Sequence, residues 1–472
     1  MFENRLSIEV VVKTLTPLHV GSATTIPKIY IDKTGKECVS EVAEVTRDYK
    51  THPYLPGTTI KGALLSLVES QESADTLFGC VEQSDDQPAL MAACYFSNAY
   101  IIENTIPEKS AHQLPDYDDK RVTATISRNA IDRDTGVAED QHLFHLQVVP
   151  PDVGFTMKLT LFLQQDEAQN QRHRDLLFSL LRKLADENGL AIGRNQSAGY
   201  GRIQADLASL RVIEKTINSN GELCESECSP NIRPLVEQTT PPEQPFSRYS
   251  LHLQCDGPFL VASGDHLRPE KRNTDDPQTA QITPLRFDRH QVWLPGTSLL
   301  GVLRSECALL VQHQLLRGES DELAARDDRN IIYRPGAKPT KGVAVRVSDL
   351  SPIEILFGVT GWRGLLCVEH IRLLNEPEFI DLTSVKIDRF SGAPIDHGLF
   401  MTSAALDPEF EVTLSIEHRN YQNQEQIHDQ VTRLFHNLID RIVDKGITLG
   451  HGGNKGFGWF TVKRGKKEEQ AA

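Results

Sequence analysis

The chain has 472 residues, a size at which a single hydrophobic core has usually stopped growing, so we expect two domains of ordinary size. Its composition, 39% hydrophobic and 24% charged, is that of a globular protein, and no apolar run approaches the roughly 18 residues of a membrane helix. The net charge of −15 argues against a protein that coats nucleic acid non-specifically, but it leaves room for a local basic track.

The first element is a strand. The N-terminal residues, "MFENRLSIEVVVKTL", go directly into the alternation of apolar and polar side chains that is typical of a strand. They lack the basic start, apolar centre and small-residue cleavage site of a signal peptide. We therefore expect a cytoplasmic protein without a membrane partner.

The next element is a turn that starts a helix, "LPGTTIKGALLS", from Leu55 to Ser66. Its proline fixes φ, Gly57 permits a positive φ, and Thr58 or Thr59 can cap the new helix. Free helix N–H groups beside hydroxyls form an anion site suited to a phosphate, and Lys61 adds a cation. The alternative interpretation is simply a well-capped helix without a ligand.

A hairpin is predicted next, around "IDRDTGVAEDQHLF" from Ile131 to Phe144. Two apolar, strand-like runs flank a polar turn, which is the pattern of a protruding β-hairpin. Arg128 and Arg133 lie on or near this hairpin. We interpret it as an extended element that touches a polymer, against the alternative of a surface hairpin without a ligand.

The first half closes with an amphipathic helix that ends at Gly189 and with a glycine-rich loop, "GRNQSAGYG". Glycine lets a backbone approach a ligand that side chains would keep away. Arg194, Tyr200 and Arg202 give this loop two cations and an aromatic ring. The ring is either a stacking platform for a base or an ordinary core anchor.

Residues 218–246 are rich in Pro, Ser, Thr and Glu and have no sustained periodicity, so they are interpreted as a linker. The predicted domains are residues 1–215 and 247–472, joined by the linker 216–246.

The linker contains Cys224 and Cys228, the only close pair among eight cysteines. Two such ligands can be half of a zinc site. Because no second pair follows at finger-like spacing, we prefer two reduced cysteines in a polar loop.

Three features of the first half recur in the same order in the second. The turn and helix start returns at Leu294–Ser305, the hairpin at Ile387–Phe400 and the glycine-rich loop at Gly450–Gly458. The distance between copies grows after the turn, which locates an insertion at residues 312–342. The candidate RNA-binding residues of the second copy are Gly296, Thr297, Ser298, Arg304, Arg389, His451 and Lys455.

Each half has the order strand, helix, strands, helix, strand. This order predicts an α+β fold with helices on one face of an antiparallel sheet, as in ferredoxin-like folds. The expected architecture is therefore two tandem ferredoxin-like units, each with a hairpin.

Taken together, these residues resemble the RAMP superfamily of CRISPR-associated proteins, specifically the backbone subunits of type III effector complexes, here as a tandem fusion. The first half carries all four family motifs, beginning with "TPLHVGS" at Thr16–Ser22; the second replaces this turn with "DGPFLVASGD". The resemblance implies an RRM-related palm that holds guide RNA, with His19 among its contacts, and a β-hairpin thumb that inserts into the guide–target duplex.

The same resemblance implies that target RNA is cut beside each thumb, with a divalent metal, expected to be Mg²⁺, and an aspartate in the loop before the PG turn. Here the expected aspartate register is lost, because the count falls near Val42 and Ile282. Either the acid has moved along a loop of altered length or one or both halves are inert. The nearest acidic candidates are Asp32, Glu44, Asp275 and Asp276.

Three functions stay open at this stage. The leading hypothesis is a subunit that binds guide crRNA, pairs it with target RNA beside other subunits of a type III complex, and cuts the target. The second is a scaffold with the same contacts and no chemistry. The third is a metal-independent guide-processing ribonuclease that uses His19 or His451 for 2′-hydroxyl attack.

Overall fold

The computed structural model shows two mixed α/β units in the order that the repeat predicts, each around its own hydrophobic core. The structure describes residues 4–31, 37–80, 89–108, 114–131, 138–218, 220–242, 246–263, 282–286, 291–319, 350–359, 361–418 and 425–465. Within these ranges, every helix is too short or too polar to cross a membrane.

The first unit combines long antiparallel strands with four helices in its described part. Its elements are β1 (Arg5–Thr14), β2 (Gly21–Ile31), β3 (Glu37–Val45), β4 (Tyr54–Leu55), α1 (Gly57–Leu65), α2 (Gln71–Phe78), β5 (Cys94–Phe96), β6 (Ala99–Ile101), η1 (Glu103–Thr105), β7 (Ala124–Ile131), β8 (Ala138–Val148), β9 (Gly154–Phe162), α3 (Glu167–Leu184), β10 (Leu190–Ala191), η2 (Gln196–Ala198), β11 (Arg202–Ile217), β12 (Leu223–Glu227) and α4 (Ser229–Gln238).

The main sheet of the first unit runs in the order β10-β11-β1-β9-β6-β4, with antiparallel neighbours throughout. Strand β1 buries every second side chain, including Leu6 and Ile8, because successive residues of a strand point to opposite faces. Leu177 and Leu181 of α3 join the same core. Helices on one face of an antiparallel sheet are the arrangement predicted from the sequence.

The predicted hairpin of the first unit is present as the antiparallel pair β7 and β8. Strand β3 pairs in parallel with β8, and β2 completes a sheet in the order β2-β3-β8-β7. The tip of the hairpin, residues 132–137 with Arg133, lies outside the described residues.

The segment predicted as a linker is largely structured. Strand β12 pairs with β11, and α4 packs on the first unit, where Val236 is fully buried in its core. The first unit therefore extends to residue 238 instead of 215. Composition misled here because a short helix with two prolines has no long apolar period, although one of these prolines occupies the favourable first turn.

The second unit repeats this plan with fewer described elements. They are β13 (Phe246–Cys255), β14 (Pro258–Phe259), α5 (Gly296–Leu316), α6 (Pro352–Phe357), β15 (Leu366–Leu373), β16 (Phe379–Ile387), β17 (Pro394–Leu406), β18 (Glu409–Glu417), α7 (Glu425–Lys445), β19 (Ile447–Thr448), η3 (Gly453–Lys455) and β20 (Trp459–Arg464).

The main sheet of the second unit has the order β15-β18-β13-β20-β19, and β16 and β17 form its hairpin. Helix α5 runs to Leu316 and so includes the first five residues of the predicted insertion, most of which lies outside the described residues. Gly446 follows α7 directly in a left-handed conformation, and its N–H donates to the Ile442 carbonyl, so it caps this helix. In the first unit, the predicted end at Gly189 is wrong, because α3 ends at Leu184 with Ala185 as its C-cap.

The glycine-rich loops of the two units have the same backbone. Gly199 and Gly456 follow η2 and η3 with φ of 77° and 82°. A Cβ at Gly201 or at Gly458 would lie 1.9 Å from a backbone carbonyl oxygen of its own unit. The two loops are thus structural repeats and not only similar strings of letters.

The loop of the first unit also packs against the second unit. Its Ala198 carbonyl oxygen lies beside the start of α5, where a Cβ at Gly296 would approach it to 2.3 Å. The buried rings of Tyr200 and Trp293 lie 6.0 Å apart between centroids and belong to one small core shared by the units. The two units are therefore joined by packing as well as by the chain.

The close approach at Gly296 predicts that Gly296→Ala destabilises the packing of the second unit against the first by about 1–3 kcal/mol, because the added methyl overpacks against the backbone of Ala198. The matched control is Gly301→Ala on the same helix, where nothing lies within 4 Å of the new Cβ. This change should stabilise by up to about 1 kcal/mol through helix propensity. Urea unfolding followed by tryptophan fluorescence reports on the second unit, which holds all three tryptophans. Equal effects of the two substitutions would contradict the described contact.

Candidate nucleic-acid interface

The PG turn of the first unit is closed by its own chain. Gly57 is buried, and its N–H donates to Asn98 Oδ1 with an N···O distance of 3.0 Å. A Cβ at this position would lie 2.2 Å from the Phe96 carbonyl oxygen. Gly57 does not have the positive φ that was expected from the sequence. Glycine is needed here because any side chain would collide with this carbonyl oxygen.

Capping by the hydroxyl groups after this glycine, as expected from the sequence, is wrong. Pro56 is the residue that precedes α1 and has no side-chain donor or acceptor, and neither Thr58 nor Thr59 caps the helix. Thr58 is exposed and Thr59 is half-buried. The helix begins with extended backbone at its proline, so the geometry of a serine or threonine cap does not arise.

Lys61 is directed away from the helix start. Its Nζ donates to the carbonyl oxygen of Phe78 at 2.6 Å and so ties α1 to the end of α2. This contact places a cation where the last carbonyls of a helix are unpaired, which is a favourable structural position.

The second PG turn lies at the contact between the units. Gly296 is buried under the loop of the first unit, whereas Thr297, Ser298 and Arg304 are half-buried. Here too, Pro295 precedes the helix and no side-chain cap is formed, so the expected caps are absent in this copy as well.

A cationic cluster lies at the base of the first hairpin and consists of His19, Arg128 and Arg194. His19 is 2% exposed, and its Nδ1 lies 2.7 Å from the Gln147 carbonyl oxygen on β8. Burial lowers the pKa of His19, and the positive charges of Arg194 and Arg128 lower it further. The N–H of the exposed Arg194 donates to the His19 carbonyl at 2.9 Å, which fixes the loop to this cluster.

Arg128 connects the hairpin to the glycine-rich loop. Its guanidinium lies over the Tyr200 ring, 4.5 Å from the centroid. Its Nε and Nη2 are buried and have no hydrogen-bond partner among the described residues. A buried donor without a partner is costly, and the described residues supply no acceptor for these two atoms.

Tyr200 is a core anchor. The side chain is 1% exposed, and burial raises the pKa of its hydroxyl. The buried ring offers no open face on which a base could stack. Of the two roles considered from the sequence, the structure therefore favours the core anchor over the stacking platform.

Arg202 is also structural. Its Nη1 donates to the Asn188 carbonyl at 2.8 Å, and burial lowers the pKa of its guanidinium, although nearby Glu369 of the second unit opposes that shift. The side chain therefore lies at the contact between the units.

The second unit replaces this cationic cluster with apolar and neutral residues. Strand register places Ser384 opposite Phe400, as Arg128 lies opposite Phe144. The His451 N–H donates to the Leu260 carbonyl just as Arg194 does to that of His19, and Leu260 is fully buried. The imidazole of the first unit thus corresponds to a leucine in the second.

The cations of the second unit are exposed instead. Lys455 lies over the Phe400 ring with its Nζ 5.3 Å from the centroid, so this loop is again tied to its hairpin by a cation and an aromatic ring. His451 is exposed, and burial of part of its ring together with the charge of Lys455 lowers its pKa.

The tip of the second hairpin carries an aromatic residue that the sequence reasoning did not single out. Asp388 accepts hydrogen bonds from the N–H groups of Phe390 (2.9 Å) and Ser391 (2.7 Å), which shape the turn. Phe390 is fully exposed at 103%, next to the exposed Arg389. The turn signal "DRFSG" could have found it, because an aromatic ring inside a polar turn has no core to enter.

Glu44 is the one acidic candidate within the described residues. Its two carboxylate oxygens accept hydrogen bonds from Arg47 Nε (3.3 Å) and from the Thr24 hydroxyl (3.1 Å). A carboxylate already paired with a guanidinium does not fit a magnesium site, because the cation would compete with Mg²⁺ for the same oxygens. The other three candidates, Asp32, Asp275 and Asp276, lie outside the described residues.

Other metal ligands do not converge in the described ranges, where no group of three or more His, Cys, Asp or Glu could hold a metal ion. Cys224 lies within β12 and Cys228 directly after it, four residues along an extended chain. At about 3.3 Å per residue they are roughly 13 Å apart, which is too far for one zinc ion.

Comparison with known proteins gives one result. The family model of the RAMP superfamily matches residues 11–204 and 254–461, one match for each unit. No curated protein matches the chain. Because the two matches cover most of the sequence and fall on the two repeated units, the chain belongs to the RAMP superfamily, whose members typically bind CRISPR RNA.

Proposed function

We propose that the chain is a guide-RNA-binding backbone subunit of a type III CRISPR effector complex and supplies two consecutive RNA-binding units. One observation carries the proposal: each unit ties its glycine-rich loop to its hairpin through a cation over an aromatic ring, Arg128 over Tyr200 and Lys455 over Phe400. An RNA strand that follows the two loops would therefore meet the base of two hairpins in turn.

The first unit is suited to bind phosphate groups. Arg194 is exposed, and the buried donors of Arg128 lack partners among the described residues. Charge-assisted hydrogen bonds from guanidinium groups to phosphate are stronger than neutral ones and position the backbone without reading its sequence. This local cluster explains how a chain with a net charge of −15 can hold RNA.

The hairpin of the second unit is suited to contact bases. Phe390 is exposed at its tip, and further along its strands Val385, Ile387 and Leu399 are exposed. Exposed apolar side chains on a narrow hairpin can insert between base steps, as wedge residues of nucleic-acid-binding proteins do. We propose that both hairpins act as thumbs on the duplex of guide and target.

Cleavage of the target is part of the proposal for at least one unit. Asp32, Asp275 and Asp276 are the remaining acidic candidates, since Glu44 is paired with Arg47. The alternative within the same complex is a scaffold that binds and does not cut. A metal-independent ribonuclease based on His19 is less supported, because that imidazole is 2% exposed and bonded to a backbone carbonyl.

RNA binding is tested first by Arg194→Ala. We expect the affinity for a guide RNA from the CRISPR array of the same genome to fall about tenfold. The slope of log K against log salt should decrease by about one, because one phosphate contact is lost. Fluorescence anisotropy over a salt series measures both. Arg211→Ala removes the same charge from an exposed position on β11 and should leave affinity and slope unchanged; equal losses would contradict a local site.

The lowered pKa of His19 gives a second prediction. Near pH 7 the imidazole is mostly neutral in the free protein, because burial lowers its pKa, and a phosphate bound by the neighbouring Arg194 would favour the protonated form. RNA binding then takes up a proton, so the affinity should rise as the pH falls from about 7.5 to about 5.5. His19→Leu, which installs the residue of the second unit, should flatten this dependence. His313→Leu, at an exposed position on α5, should keep it. A flat profile of the unchanged protein would contradict a phosphate at this histidine.

Cleavage is tested in the assembled complex with a guide-matched RNA and Mg²⁺. We expect Asp32→Ala to lower the rate at one cut position and the double change of Asp275 and Asp276 to Ala to lower the rate at the other, each by about 100-fold or more. Glu44→Gln should not change the rate, because this carboxylate is engaged with Arg47. Unchanged cleavage in all variants would exclude catalysis by these residues and favour the scaffold.

A further inference from the structure

Arg47 lies at the base of the first hairpin and makes five hydrogen bonds, as many as a guanidinium has N–H groups. The acceptors are the Glu44 carboxylate (3.3 Å), the carbonyl oxygens of Thr51 (2.7 Å) and Arg121 (3.0 Å), the Thr123 hydroxyl (3.1 Å) and the side-chain oxygen of Gln147 (3.1 Å). Its side chain is 12% exposed. Because the protein itself uses these donors, Arg47 is not placed to bind a phosphate, and its role lies in the structure around it.

These contacts join the hairpin to the rest of the first unit. Gln147 belongs to β8 and Thr123 directly precedes β7, so both strands of the hairpin are held. Glu44 belongs to β3, and Thr51 lies in the loop that leads to the PG turn. A planar guanidinium serves acceptors in several directions at once, whereas the compact ammonium group of a lysine does not. One side chain thus fixes the hairpin relative to the strand and the loop beside it.

The hairpin begins next to a strained residue that Arg47 holds from both sides. Val122 is fully buried and has a φ of 52°, a conformation that a β-branched residue rarely adopts. Its two neighbours, Arg121 and Thr123, supply the carbonyl and hydroxyl oxygens that accept from Arg47. Strained backbone persists where the surrounding contacts impose it. Without these contacts, we expect the chain to relax at Val122 and to change the angle at which the hairpin leaves the unit.

The second unit has an arginine at the equivalent position. Arg47 forms an isolated bridge with Pro53 just before the first PG turn. Arg286 forms the same kind of bridge with Val292 before the second. The guanidinium of Arg286 lies over the ring of Phe379, the first residue of β16, 3.4 Å from the centroid. Both arginines therefore contact the start of the first strand of their hairpin, one by hydrogen bonds and the other by stacking.

A hairpin that is held in advance favours the binding of a duplex. A mobile hairpin would lose conformational freedom when it enters between base steps, and this loss would weaken binding. A hairpin already fixed at one angle loses less. Guide phosphates at Arg194 lie beside the glycine-rich loop, so their binding depends less on the hairpin angle.

We propose that Arg47 and Arg286 are positioning residues, each of which fixes the angle of its hairpin relative to the main sheet of its unit. The inference rests on the proposed function in that a fixed hairpin is ready to enter the duplex of guide and target. Loss of either arginine should therefore weaken the pairing of target RNA more than the binding of guide RNA. A general loss of stability would not produce this difference.

The hairpin angle is tested in the full chain without RNA. Nitroxide labels carried by p-acetylphenylalanine at two exposed positions, Asn129 on β7 and Gln171 on α3, give a distance distribution by double electron–electron resonance. We expect a narrow distribution for the unchanged sequence and a broader or shifted one for Arg47→Lys. The matched control is Arg121→Ala, which removes an exposed guanidinium from the same segment and keeps the carbonyl that accepts from Arg47.

Two further variants keep this test decisive. Thr123→Val removes one acceptor with little change in shape, so it should broaden the distribution less than Arg47→Lys does. It decides the question if Arg47→Lys does not fold. Arg286→Lys loses the flat contact with Phe379 and should act on the second hairpin, with labels at exposed positions of β16 and α5. Unchanged distributions in the folded variants would overturn the proposal.

The consequence for RNA is measured in the assembled complex. We expect Arg47→Lys to lower the affinity for a matched target RNA about tenfold, while the affinity for guide RNA falls much less. Equal losses for guide and target, or an unchanged affinity for the target, would also overturn the proposal. If the unchanged chain binds no guide RNA, the proposed function fails by itself, and the distance distributions alone then decide whether the arginines fix the hairpins.

Discussion

The arrangement of the two units depends on one backbone contact, the insertion of a glycine-rich loop beside the glycine that starts the next helix. At Gly296 a single added methyl would lie 2.3 Å from the Ala198 carbonyl oxygen. Such proximity is available only to a residue without a side chain, and the PG turn of the first unit has the same requirement because Gly57 lies against the Phe96 carbonyl oxygen. Tyr200 and Trp293 then bury the space around this contact and add the hydrophobic free energy that the backbone approach alone does not provide.

The two units are similar in fold but differ in chemistry at the base of the hairpin. There the first unit holds a buried imidazole and guanidinium donors that have no partner among the described residues, whereas the second has Leu260 in place of the imidazole. A fully exposed Phe390 projects from the second hairpin. Under the proposed function, the first unit would bind phosphates and the second would insert its hairpin between bases, a difference that the repeat in the sequence does not suggest.

The sequence predicted the architecture well because strand alternation and helix periodicity are local properties. Strands β1, β11, β13 and β20, the hairpins and the order of two units all follow from such patterns. The roles within the site were harder to predict, because they depend on what lies opposite in space. Gly57 was expected to supply a positive φ but is needed for a carbonyl contact, and Tyr200 is covered by a tryptophan 93 residues further along the chain. Helix α4 was not predicted because it is short and contains two prolines, so its few apolar residues give no clear helical period.

Packing between the units has a consequence for any RNA that both of them bind. If the units were joined by a flexible linker alone, the distance between their hairpins would vary, and the second contact would gain only from a raised effective concentration. Here the shared core of Ala198, Tyr200 and Trp293 and the folded segment up to residue 238 restrict that distance. Binding to the first unit therefore also orients the second, and little conformational entropy is lost when the RNA reaches it. The loop contact therefore sets the spacing between the two proposed thumbs. A substitution such as Gly296→Ala should alter RNA binding although Gly296 is covered by the loop of the first unit and does not contact RNA in the proposal.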